Sequence, residues 1–142
     1  KIKNFSISKN NKKLSQNDTL FLGDKIKLML KVSILENISD LSFSFDLMNS
    51  RQELISHITN EDDAKYFSKV IKGEELEVNI LTDKILFIPG KYVMNLWVGA
   101  SQTETLYEIK NLFVFNLEQS NFTKRTKPLP KHSIVYLPTI WE

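Results

Sequence analysis

The chain has no cysteine, only four glycines, four prolines and two histidines among its 142 residues. Without cysteine there is no disulfide framework and no thiolate metal site, and a zinc site would need carboxylates beside His57 and His132. So few glycines argue against a phosphate-cradling loop, and no Walker A, GxGxxG, GxSxG or HExxH pattern occurs. Apolar runs such as Ile85-Leu86-Phe87-Ile88 fall far short of the ~20 residues a membrane-spanning helix needs. Nor is there an excess of charge. Nineteen Lys and Arg against 17 Asp and Glu leave +2, too balanced to mark a nucleic-acid binder. The adjacent acids Glu61-Asp62-Asp63 lack the spaced ligands of a calcium loop and read as a solvated turn. No cofactor or metal is expected, and no catalytic motif supports an enzyme. Paired carboxylates of a glycosidase cannot be recognised among 17 acidic residues, because some such pair arises by chance.

What remains is ordinary globular composition, 42% hydrophobic and 25% charged, in a length that suits one domain. The apolar residues follow a period of two. Ile26, Leu28, Leu30, Val32 and Ile34 alternate with polar neighbours, as do Leu41, Phe43, Phe45 and Leu47, then Leu76, Val78 and Ile80, then Tyr92, Met94, Leu96 and Val98. Such alternation predicts antiparallel strands with one face in the core and one in water. Ile2–Ser8, Glu53–Ile58 and the aromatic-rich Tyr107–Leu117 add further strands, the last with ambiguous facing. Turn signals at Gly23-Asp24, Asn49-Ser50, Gly73-Glu74 and Pro89-Gly90 separate them, which indicates a sandwich of about seven to nine strands. Glu61–Ile71 carries weak helical spacing and is read as a short helix or a loop. The fold class is therefore all-β, with residues 1–117 as the sandwich. Residues 118–131, polar and containing Pro128 and Pro130, read as an extended connector, and residues 132–142 as a last strand on that tether.

Trp97 is the candidate with most chemistry. Alternation sends it to the outer face of a central strand, beside Asn95. The C–H face of a sugar stacks on an aromatic ring while its hydroxyls need polar neighbours, so this pairing suits a carbohydrate. The other reading is a Trp covered by a loop or a subunit contact. Ser44 and Asp46 share that face if the strand order is immunoglobulin-like, and are otherwise solvated positions. His57 and Asn60, at the end of the strand after Asn49-Ser50, complete the candidate carbohydrate-binding set or serve structure. Tyr92, directly after Pro89-Gly90-Lys91, has the position of a tyrosine corner.

Three patterns in order, Phe21-Leu22-Gly23-Asp24-Lys25-Ile26, Gly73-Glu74 through Pro89-Gly90-Lys91-Tyr92, and Ile134-Val135-Tyr136-Leu137-Pro138 to Trp141, resemble the C-terminal carbohydrate-binding domain of Wzt, the nucleotide-binding subunit of O-antigen ABC transporters. One departure is His132-Ser133, where the family has a Gly before the last strand. The resemblance implies an immunoglobulin-like β-sandwich forming homodimers by exchange of C-terminal strands, with Ile134, Tyr136 and Trp141 in the exchanged segment. It further implies a non-catalytic domain that recognises O-antigen polysaccharide, at a modified non-reducing end, for export. The partners would be the polysaccharide and, through the full-length protein, the transporter's membrane subunit, at the inner face of the bacterial cytoplasmic membrane. ATPase activity would then lie in an N-terminal domain outside this chain, in keeping with a sequence that opens on Lys1. Two other classes fit the residues alone: an adhesin-like protein-interaction sandwich, or an accessory module of an extracellular glycan enzyme.

Overall fold

A computed structural model describes every residue except Gln102. Among the described residues, ten strands and one short 3-10 turn occur in the order β1 (Ile2–Lys9), β2 (Lys12–Lys13), β3 (Thr19–Phe21), β4 (Lys27–Ser33), β5 (Ile38–Asn49), β6 (Leu54–Thr59), the turn Asn60–Asp63, β7 (Phe67–Val70), β8 (Glu75–Leu81), β9 (Gly90–Ala100) and β10 (Glu104–Glu118). They form an immunoglobulin-like sandwich of two sheets. The smaller runs β2-β1-β4-β8, and the larger β3-β10-β9-β5-β6, with β7 pairing a second length of β5. All pairings are antiparallel except β3 with β10, which run parallel from Thr19–Asn116 to Phe21–Glu118.

The period-two sets are the core. Leu28, Leu30 and Val32 of β4 face Leu41, Phe43, Phe45 and Leu47 of β5 and Met94, Leu96 and Val98 of β9, all buried. Leu76, Val78 and Ile80 are only partly buried, because β8 is the edge strand of the smaller sheet. The ambiguous facing of Tyr107–Leu117 has a physical cause. Register shifts between Thr105 and Tyr107 and between Ile109 and Phe113 interrupt the alternation along β10. The stretch Glu61–Ile71 is neither a helix nor one loop: the turn at Asn60–Asp63 is followed by β7.

Tyr92 forms the corner that its position suggested. Its hydroxyl donates to the Ile88 carbonyl and its ring stacks on Phe115, with ring centroids 5.5 Å apart. Burial pushes the Tyr92 phenol up to about 12, with the Arg51 guanidinium opposing. In the unfolded chain a phenol titrates near 10.0. Between those values the folded state holds a proton that the unfolded state has lost, so stability falls as pH rises through the window. The expected loss from this group is about 3 kcal/mol. A Tyr92→Phe variant leaves the Ile88 carbonyl unpaired and is expected to lose about 1–3 kcal/mol at pH 7. Urea titrations at pH 7 and at several alkaline pH values check both points. An alkaline slope identical in variant and parent would exclude Tyr92 as its source.

The connector is docked against the sandwich. Leu22, Ile88 and Leu129 form a second buried cluster, with Leu86, Phe122 and Tyr136 packed on it. Ser120 Oγ donates to the Leu22 carbonyl at 2.7 Å, and the Leu129 N–H donates to Gln119 Oε1 at 2.8 Å. Gly23 makes this docking possible. Its φ is +93°, and a Cβ there would lie 2.7 Å from the Phe122 ring. Residues 132–142 form no continuous strand. Val135 makes a single antiparallel bridge to Phe87, Ile88 N–H donates to the Ile134 carbonyl at 3.0 Å, and Tyr136 N–H donates to the Leu86 carbonyl at 2.6 Å. Beyond that bridge Leu137, Ile140 and Trp141 are 78%, 91% and 93% exposed. Trp141 Nε1–H donates to Thr139 Oγ1 at 3.2 Å, two residues away in the same segment.

Candidate binding face on the larger sheet

The outer face of the larger sheet is ordered in rows by strand register. In one row Trp97 of β9 stands between Ser44 of β5 and Glu108 of β10, with Thr59 of β6 beyond Ser44. In the next row Asn95 of β9 stands beside Asp46 of β5, and Asp46 beside His57 of β6. Directly opposed residues in such rows have Cβ atoms about 5 Å apart, so each row acts as one chemical surface. Trp97 faces outward because Leu96 and Val98 on either side of it point into the core.

The indole is held in a definite pose. Its Nε1–H donates to Thr105 Oγ1 on β10 at 2.9 Å. Its six-membered ring crosses Gly99, two residues along the same strand, where a Cβ would meet Trp97 Cη2 at 2.0 Å and Cζ2 at 2.2 Å. Trp97 therefore lies along its own strand and is only partly exposed.

His57 Nδ1 lies 2.5 Å from Asp46 Oδ1, the geometry of an Nδ1–H donating to a carboxylate. The pair is well exposed, with side chains 49% and 38% accessible, so it orients the imidazole more than it stabilises the fold. Asn95 Oδ1 accepts the Asn111 N–H at 2.8 Å and pins the bulged part of β10. Asn111 has φ +56°, and a bulge of this kind re-aims the strand beside the row that contains Asn95.

Five of the six sequence candidates, Trp97, Asn95, Asp46, Ser44 and His57, thus share one face. Ser44 is buried, only 3% exposed. Asn60 sits at the margin with its amide committed to backbone: Oδ1 accepts the Phe43 N–H at 3.0 Å and Nδ2 donates to the Lys65 carbonyl at 2.8 Å. Gly99, Thr105 and Glu108 were not among the sequence candidates. Gly99 carried a usable signal, since a glycine in a strand interior marks a close approach. Thr105 and Glu108 carried none, because they reach Trp97 only through the pairing of β9 with β10. The face carries two carboxylates on the strands either side of β9: Glu108 of β10 in the indole row and Asp46 of β5 in the next. Among the described residues no group of three His, Asp or Glu is arranged to hold a metal.

A cleft of about 820 Å³ lies between the sheets on the side of β6 and β8, away from this face. Phe43, Phe45, Ile58, Val78, Ile80 and Phe87 wall it. Phe87 is also the bridge partner of Val135, so the C-terminal segment passes along one wall of this cleft. No helix among the described residues is long and apolar enough to cross a membrane.

No curated protein matches the sequence. Among solved structures, the C-terminal domain of Wzt is similar with a TM-score of 0.76 at 12% identity, covering all of this chain and 82% of that one. That likeness establishes the fold. A β-glucuronidase of glycoside hydrolase family 2 has a TM-score of 0.46 at 12% identity, covering 73% of this chain and 10% of its own. A β-glucosidase from Listeria innocua has a TM-score of 0.40 at 17% identity, over 82% of this chain and 16% of its own. Neither bears on function at those scores. The family model described as the Wzt C-terminal domain matches residues 1–128, and the chain belongs to that family.

Proposed function

We propose that this domain is a non-catalytic glycan-binding module that recognises O-antigen polysaccharide, at its modified non-reducing end, for export by an ABC transporter. The observation that carries the reading is Trp97, partly exposed and lying along the outer face of the larger sheet among Asn95, Asp46 and His57. An aromatic plane beside hydrogen-bonding groups is the arrangement that sugars require. Membership of the Wzt C-terminal domain family supports the polymer and the transporter as its setting. In that setting the domain works at the cytoplasmic face of the membrane and reaches the transporter's membrane subunit through the full-length protein. ATP hydrolysis belongs to another domain.

The same reading includes a homodimer. Leu137, Ile140 and Trp141 are an unpartnered apolar segment, and Ile134, Val135 and Tyr136 already pair in strand fashion with Leu86–Ile88. A second copy that receives this segment would bury what the single chain exposes.

Calorimetric titration of the purified domain with O-polysaccharide from its source strain tests the function. Saturable binding supports it. Absence of binding to both intact and end-modified polymer overturns it in favour of a protein-interaction sandwich.

A further inference from the structure

We propose that Gly99 and Thr105 are positioning residues of the glycan site. They seat the Trp97 indole flat on the sheet, so the ligand is read by one open ring face rather than by the indole N–H. The inference rests on the glycan reading above and adds to it how the sugar is met. Two independent constraints act on one ring. Gly99 supplies the space, since any side chain there would occupy positions 2.0 and 2.2 Å from ring carbons. Thr105, the cross-strand partner of Gly99, accepts the Nε1–H at 2.9 Å and thereby commits the only polar atom of the indole to the protein. A ring so held offers a ligand its π face, which selects a pyranose with a contiguous C–H face. Hydroxyl recognition then falls to the carboxylates and imidazole in the neighbouring rows.

The chain has two tryptophans, so a Trp141→Phe background leaves Trp97 as the sole reporter. In that background Gly99→Ala is expected to shift the emission to the red and raise acrylamide quenching. Affinity for the source-strain O-polysaccharide is expected to fall about tenfold or more. A Cβ at Gly99 would also lie 2.5 Å from the Glu104 carbonyl oxygen, so this variant strains the β9–β10 pairing. Thr105→Val is therefore run alongside. It keeps the side-chain shape, removes the acceptor, and is expected to raise quenching and weaken binding several-fold with an unchanged circular dichroism spectrum.

A folded Gly99→Ala domain with the parent spectrum overturns the proposal. So does a shifted spectrum in either variant with undiminished affinity, because the seated ring would then not be what the ligand reads. If the parent itself fails to bind the polymer, the glycan reading falls and this inference with it. Parent binding with both variants indifferent removes only the positioning role.

Discussion

A Trp97→Ala domain is expected to bind the O-polysaccharide of its source strain at least about 30-fold more weakly, the loss of about 2 kcal/mol that marks a central aromatic anchor. Its fold should survive. Trp97 lies outside both buried clusters, so the variant loses partly buried ring area and the bond to Thr105 but opens no core cavity. That loss is expected to cost about 1 kcal/mol of stability, a shift of about 4 °C in Tm for a domain of this size. Calorimetry beside a thermal melt separates the two effects. Asp46→Asn is expected to weaken binding less, because a polar group at a wet rim contributes less than the stacked ring. Binding undiminished in Trp97→Ala would keep the function and move the site off this face.

The second large effect concerns the C-terminus. Deletion of residues 133–142 is expected to convert a dimer into monomers or aggregates, read by light scattering on a sizing column. Leu137, Ile140 and Trp141 are nearly bare in the single chain, and burying each against a second copy contributes roughly 1.5–3 kcal/mol. The deletion also strips Tyr136 from Phe122 and leaves the Ile88 N–H without its acceptor. A Trp141→Ala variant keeps those contacts and isolates the association. It is expected to weaken the dimer by about 2 kcal/mol per anchor, and more where both copies contribute one. A clean, stable dimer of the truncated domain would contradict strand exchange.

Both tests turn on residues of opposite legibility in the sequence. Trp97 was assigned its face from alternation alone, because in a strand the side-chain direction follows from counting by two from neighbours that must be buried. The same counting gave the core of β4, β5 and β9 in full, and the corner at Tyr92 followed from its place after Pro89-Gly90. Counting failed along β10, where two register shifts break the period, and between Glu61 and Ile71, where a 3-10 turn and a short strand share one polar stretch.

Composition and alternation together determined the class: an all-β sandwich without thiol chemistry, phosphate loop or spanning helix, with an aromatic facing outward. Tertiary structure decided what that aromatic stands beside. Asp46, 51 positions before Trp97, and Glu108, 11 after it, come to lie on either side of β9 because strand pairing sets register, and register depends on bulges and turns that alternation does not encode. The amide of Asn60 is engaged with backbone for the same reason: the chain fold brings the Phe43 N–H and the Lys65 carbonyl within its reach. Gly99 acquired its role only once a ring lay across it. A missing side chain has no pattern of its own, and its meaning comes from what fills the space.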